Sequence, residues 1–254
     1  MHPYISIFGA EFSSYSLMAI VGLLVAGFIF CRRVAEKGGS GNESMFLLLA
    51  IAFGMYAGGH VLFFITNAGR WHLLAEAKNS EEFFKTFSLL ANGLVFYGGL
   101  IGASLCGLAY LKIRKLPKEV YMDSAALFAP LFHGFARVGC FLSGCCYGIE
   151  SSFGFADAQG VTRFPVQLLE AACNFAIAAI IFVILKKGLL QGKVFYLYLA
   201  VYAFVRFFDE FLRGDEIRGF VLGLSTSQFI SIFVEVFALV MLFLPIIKNK
   251  TSEN

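Results

Sequence analysis

Phe132-His133-Gly134-Phe135-Ala136-Arg137-Val138-Gly139-Cys140-Phe141-Leu142-Ser143-Gly144-Cys145-Cys146-Tyr147-Gly148 places a polar strip inside an apolar chain. On a helix, His133 and Arg137 stand four residues apart and share a face, and the residues around them are apolar enough for a bilayer. A cation at that depth costs about 2.5 to 3.5 kcal/mol on insertion, so Arg137 reads as functional. Beyond it, Gly139, Gly144 and Gly148 leave little side chain between the backbone and a ligand. They predict a substrate-cradling bend.

The surroundings of this stretch fix the class. Of 254 residues, 59% are hydrophobic and 15% charged, 31 are phenylalanine, and the mean hydropathy is +0.77. That composition predicts an all-α, polytopic membrane protein. No linker or charged tail is long enough to separate two units, so residues 1–254 are expected to form a single transmembrane helical domain. The net charge of +3 gives no support to nucleic-acid binding, because Lys and Arg cluster beside hydrophobic spans as topology signals do. The first apolar run ends in Cys31-Arg32-Arg33 rather than in small residues, so it is expected to stay as an uncleaved first helix.

Seven apolar runs, at about 13–31, 44–66, 88–111, 120–142, 165–185, 194–212 and 226–247, are each about long enough to cross a bilayer. Arg32, Arg33 and Lys37, then Lys112, Arg114, Lys115 and Lys118, then Lys186, Lys187 and Lys193, and last Lys248 and Lys250 follow alternate runs. The other loops hold Arg70, Lys78, Lys85, Arg163, Arg213 and Arg218, balanced by nearby acids. The positive-inside rule therefore predicts an outside N-terminus and a cytoplasmic C-terminus. The outside segment at about 67–87, with Leu73, Leu74, Phe83, Phe84 and Phe87 beside charges, reads as a packed loop or a helix lying on the membrane surface. Gly54-x-x-x-Gly58, Gly98-x-x-x-Gly102 and Gly144-x-x-x-Gly148 have the spacing of close helix packing. Gly98-Gly99, directly after Tyr97, also reads as room for a ligand.

Polar residues converge on one level. At about 1.5 Å per residue, Arg137 lies roughly 25 Å from the cytoplasmic start of the fourth run, Arg206 roughly 18 Å along the sixth and His60 roughly 24 Å along the second. Tyr15 stands near the outer start of the first run, and Tyr97 roughly 14 Å below that of the third. This predicts a cavity open to the outer leaflet that holds an anion between two arginines. Asp209, Glu210 and Arg213 extend a stripe from Arg206 at helical spacing, with an Arg206–Glu210 pair as the structural alternative. Gln167, Glu170 and Asn174 share a face that either orients the arginines or supplies a base. Glu235 has no evident partner. Of the six cysteines, Cys31, Cys106 and Cys173 read as packing residues, whereas Cys140, Cys145 and Cys146 cluster where disulfides are permitted. Their spacing lacks the paired two-residue gaps of structural zinc sites and no His lies alongside, so no metal is expected. No cofactor is expected either.

At these residues the chain resembles the prolipoprotein diacylglyceryl transferase family. The matching motifs are His2-Pro3, Tyr15-x-Leu17-Met18, Gly58-Gly59, Phe96-Tyr97-Gly98-Gly99-Leu100-Ile101-Gly102, Ala136-Arg137-Val138-Gly139-Cys140-Phe141, Pro165-x-Gln167-Leu168-x-Glu170 and Arg206-Phe207-x-x-Glu210-Phe211-x-Arg213. The resemblance implies a seven-helix enzyme of the bacterial inner membrane with its site facing the outer leaflet. Its partners would be phosphatidylglycerol and the lipobox signal peptides of exported prolipoproteins, with transfer of the diacylglyceryl group to the lipobox thiol and release of glycerol phosphate. Against the family pattern, Tyr97 stands for a histidine, Cys140 for an asparagine, Cys145 for an acidic residue, His60 for an arginine and Phe164 for a histidine.

Arg137 and Arg206 suit the phosphodiester and the charge growing on the departing phosphate. The acceptor thiol must become a thiolate, which assigns a base or a cationic field to Tyr97, His60, Glu170 or the arginines. Glu210 joins Arg137, Arg206 and Tyr97 as a candidate catalytic residue. Tyr15, His60, Gly98, Gly99, His133, Gly139, Cys140, Gly148, Glu170 and Arg213 are candidate substrate-binding residues. Other readings are a divergent relative with another acceptor or only lipid binding, and an outer-face thiol redox protein, which leaves the arginine pair unexplained.

Overall fold

A computed structural model describes residues 3–7, 9–91, 93–214, 220–221 and 223–244. His2, Arg218, Lys248 and Lys250, used above, lie outside the described residues, as does the side chain of Tyr97. In chain order come β1 (Tyr4–Ile7), β2 (Ala10–Ser13), α1 (Ser14–Glu36), α2 (Gly41–Thr66), α3 (His72–Ala75), α4 (Ser80–Ala91), α5 (Phe96–Ile113) and α6 (Lys118–Ser143). They are followed by β3 (Glu150–Ala156), β4 (Thr162–Arg163), α7 (Val166–Lys186), α8 (Val194–Asp209), β5 (Phe220–Val221), β6 (Leu224–Ser225) and α9 (Thr226–Phe243). Among the described residues the strands pair only as three short antiparallel hairpins. The architecture is therefore all-α and polytopic. α1, α2, α6, α7 and α9 are long and apolar enough to cross a membrane, and Gly98–Ile113 is a shorter apolar helix.

The helix starts follow local chemistry. Ser40 caps α2 by accepting from the Glu43 amide at 3.4 Å. Ser225 and Gln228 cap α9 reciprocally: the Ser225 hydroxyl accepts from the Gln228 amide at 3.2 Å, and the Gln228 side chain accepts from the Ser225 amide at 3.0 Å. Two stretches depart from their apolar runs. The start of the third run closes α4, and α5 begins only at Phe96, so Tyr97 lies in the first turn of its helix rather than well inside one. α8 gives way to a 3-10 turn at Glu210–Leu212, and Arg213 is extended (φ −88°, ψ 135°), so the polar stripe leaves the helix there.

The chain packs as two units, Met1–Lys37 with Glu119–Asn254, and Gly38–Lys118. In the first, α6, α7 and α8 meet in a core of Ala126, Leu127, Ile177, Ala178, Ile181, Leu185, Val194 and Tyr198. One end of this unit is tied by polar contacts to backbone. Arg33 donates to Leu185 O at 2.7 Å, Asp123 accepts from the amides of Gly192 (2.6 Å) and Val194 (3.1 Å), and Lys193 donates to Leu242 O. The ends of α1, α7 and α9 thus meet the starts of α6 and α8, and consecutive helices run in alternate directions. Large apolar side chains elsewhere face outward, Phe204 at 59% exposure and Phe243 at 84%, as suits a lipid solvent.

In the second unit α2 and α5 pack along a glycine seam. A Cβ on Gly58, Gly98 or Gly102 would run into the backbone oxygens of Gly98, Gly58 and Gly54 respectively, so the missing side chains let the helices touch. Gly144 and Gly148 do not share that use. α6 stops at Ser143, Gly144 is left-handed (φ 73°), and Gly148 bridges to Arg213 beyond the helix.

Candidate active site

The end of the first unit opposite those backbone ties gathers the ends of α6 and α8 and the starts of α1, α7 and α9. Its centre is Glu170, buried at 2% exposure in α7. One carboxylate oxygen pairs with Nε of Arg137, and the other lies 3.4 Å from Nη1 of Arg206 and 3.5 Å from Nη1 of Arg213. Arg206 Nη2 also donates to Glu210 at 2.7 Å and to the Ser227 hydroxyl at 3.3 Å. Three guanidiniums thus share two carboxylates in direct ion pairs. Asp209, also buried, makes no ion pair among the described residues. Buried as these side chains are, each charge contact counts for more than at a surface.

Neighbouring groups hold this cluster in place. Asn174 donates to Glu170 O at 2.8 Å, one turn back along α7. Gln167 donates to Cys145 O at 2.8 Å and so fixes the loop after α6 to the start of α7. The His133 ring lies 5.2 Å from that of Tyr202, so the α6 pair His133 and Arg137 faces the α8 pair Tyr202 and Arg206, both four residues apart. At Gly139 a Cβ would stand 3.1 Å from Met18 Cβ and 3.2 Å from Tyr15 Cα, so α1 crosses α6 beside the cluster with Tyr15 at the crossing.

Beyond α6 the bend runs through Gly144 and Cys146, the latter also left-handed (φ 57°), a conformation uncommon outside glycine. It brings the thiols of Cys140, Cys145 and Cys146 within 4.8 Å of one another; all three are free. Arg137 Nη1 lies 3.9 Å from the Cys140 sulfur. Hydrogen bonds from Cys140 and Cys145, and the Arg213 guanidinium, push the Cys146 thiol down. The loop continues into the β3–β4 hairpin, where Arg163 stacks over Tyr147 at 4.3 Å and pairs with Asp157 at 2.5 Å.

Of the residues singled out by sequence, the structure brings together Arg137, Glu170, Arg206, Glu210, Arg213, Cys140, Gly139, Gly148, His133 and Tyr15 in one unit. Tyr97, His60, Gly98 and Gly99 belong to the other. There the His60 ring meets Tyr56 at 4.3 Å, and the space left by Gly98 and Gly99 is taken by Gly58, Leu62 and Met55 of α2. Sequence reading passed over Ser227, which holds Arg206 from the first turn of α9, Tyr202, and Ser143, whose hydroxyl is buried without a partner among the described residues. Helical spacing from Arg206 finds Tyr202; for Ser143 and Ser227 no signal stood out.

The family described as prolipoprotein diacylglyceryl transferase matches residues 3–244. The chain is 35% identical over 239 residues to the phosphatidylglycerol–prolipoprotein diacylglyceryl transferase 2 of Clostridium perfringens, covering 90% of this chain and 89% of that one. It is 30% identical over 236 residues to the Clostridium tetani phosphatidylglycerol–prolipoprotein diacylglyceryl transferase, covering 89% and 90%. Its identity to the Geobacter sulfurreducens protein of that name is 29% over 229 residues, covering 86% and 83%.

Proposed function

The chain belongs to the prolipoprotein diacylglyceryl transferase family, and from that premise we propose that it transfers the diacylglyceryl group of phosphatidylglycerol to the lipobox cysteine of exported prolipoproteins. The observation that carries the reading is the buried arginine cluster on Glu170. A phosphodiester needs fixed cations that do not reorganise during reaction. Arg206 is occupied by Glu170, Glu210 and Ser227, whereas the terminal nitrogens of Arg137 have only the distant Cys140 sulfur among the described residues. Arg137 is accordingly the phosphate-facing cation; Arg206, Arg213 and Glu210 hold the field, and Glu170 positions all three arginines. His133, Gly139, Gly148 and Tyr15 shape the adjoining wall.

In the reaction, the thiolate sulfur forms a bond to the terminal glyceryl carbon. The bond from that carbon to the phosphate oxygen breaks, and glycerol phosphate leaves with the electron pair. Positive-inside counting supports an outer-leaflet position for this end, where exported signal peptides would present their cysteine.

The test is direct. Purified protein given phosphatidylglycerol and a lipobox peptide is expected to add one diacylglyceryl unit to the cysteine, read as a mass shift with glycerol phosphate release. Absence of both overturns the reading. Tyr97 favours a second reading, a relative with another acceptor, because it stands where the family carries histidine. That reading predicts no transfer by the wild type and transfer by Tyr97→His, since an imidazole with a pKa near 6.5 suits a base at neutral pH.

A further inference from the structure

We propose that Cys140, Cys145 and Cys146 hold a zinc ion whose fourth position takes the acceptor thiol, so that the ion generates the attacking thiolate. This inference rests on the transferase reading and names how its nucleophile is activated. Spacing in the sequence argued against a metal, but the fold assembles what the spacing lacks. The three sulfurs lie within 4.8 Å of one another. A tetrahedral zinc with bonds of about 2.3 Å sets its sulfurs about 3.8 Å apart, so side-chain rotation of about 1 Å or less completes the face.

The backbone holds the ligands ready. Cys140 comes from the last turn of α6, and the Cys145 amide donates back to Cys140 O at 3.1 Å. Gln167 fixes Cys145 O, and Cys146 is kept in a left-handed conformation that a free loop would not choose. Charge agrees with the assignment. Three thiolates on a divalent ion carry one net negative charge, and guanidiniums flank them: Arg137 Nη1 near Cys140 and Arg213 beside Cys146.

The number of ligands decides the role. Structural zinc is closed by four protein ligands, whereas catalytic zinc keeps three and an open place. Among the described residues no His, Asp, Glu or further Cys joins the three thiols. Cys140 is buried and Cys145 exposed, so the open place faces outward on the Cys145 side. Arg137 touches both Glu170 and Cys140, so the thiol cluster itself adjoins the phosphate-facing cation. A thiol bound to zinc is deprotonated outright. The acceptor would give its proton to solvent on binding, and its sulfur would then form the bond to the glyceryl carbon as the carbon–oxygen bond to phosphate breaks. A base at Tyr97 is then not needed.

The full chain, purified in detergent under reducing conditions, tests this by metal analysis and cobalt substitution. Expected are one zinc per chain, its loss in Cys140→Ser, Cys145→Ser and Cys146→Ser, and its retention in the control Cys31→Ser. The cobalt form is expected to show thiolate-to-metal charge-transfer absorption that grows when a lipobox peptide is added and does not grow with the Cys-to-Ser peptide. That readout needs neither turnover nor a variant that folds. Zinc removal is expected to slow transfer about 100-fold, the scale of a lost general base, with recovery on zinc addition. Full-rate transfer by metal-free protein, or a disulfide among the three thiols in metal-free wild type, overturns the inference and leaves the transferase reading standing. Peptide-dependent cobalt spectra with no diacylglyceryl transfer overturn the transferase reading, and with it the role given to the ion.

Discussion

Glu170 shows how much one side chain organises here. It is buried, and three arginines from α6, α8 and the segment after α8 close on its two oxygens. Glu170→Gln keeps the shape and removes the charge that balances them. Leaving buried partners uncompensated costs about 3–5 kcal/mol, so thermal unfolding in detergent is expected at a clearly lower temperature, with loss of transfer. Unchanged melting would show that the arginines find other partners. At Arg137 the expectation is different. Arg137→Ala should lower turnover about 100- to 1,000-fold, as loss of one oxyanion donor does elsewhere. Arg137→Lys should recover little, because a point charge cannot keep Nε on Glu170 while also gripping phosphate. Steady-state rates with phosphatidylglycerol as the varied substrate check both.

At the scale of elements, α2 and α5 are held by absence of side chains. Gly102→Val places methyl groups against the Gly54 carbonyl, and overpacking of this kind costs about 1–3 kcal/mol. Gly69→Ala, in the 3-10 turn Ala68–Arg70 where nothing lies within 4 Å, should stay within about 0.5 kcal/mol. Melting curves of the two variants give the comparison. The β3–β4 hairpin offers a pH test. Arg163 holds the Asp157 carboxyl below its usual 3.8. A carboxyl depressed on folding contributes stability that is present above its unfolded value and lost as the pH falls through the folded one. Protection of the Gln159 and Val161 amides, which donate to Asp157, measured as hydrogen exchange relative to an unstructured peptide at the same pH, should therefore hold at pH 7 and fall only below about pH 4.

For the whole molecule, alternating helix directions place the arginine cluster at the end of its unit opposite Arg33 and Lys193. The orientation proposed above, with the basic loops cytoplasmic, would put the cluster outside. A fluorescent reporter fused at the C-terminus should be active in cells, and a membrane-impermeant thiol reagent should label Cys145 from outside when metal is removed. Labelling only after the membrane is opened would reverse the orientation. The sequence by itself determined an all-α, polytopic chain, because backbone polar groups in lipid must be satisfied within each helix, but not the bounds of the third and sixth apolar runs. It also determined that Arg137, Arg206 and Glu170 are costly and belong inside. What it did not determine is which acid meets which arginine. Glu170, Asp209 and Glu210 all qualified by spacing, and only the rotation of α7 against α6 and α8 made Glu170 the common partner. The end of α8 at Asp209 and the two left-handed residues after α6 were equally hidden, because a helix stops where tertiary contacts outweigh one more backbone hydrogen bond. Those contacts, between segments far apart in the chain, put three thiols beside the arginines.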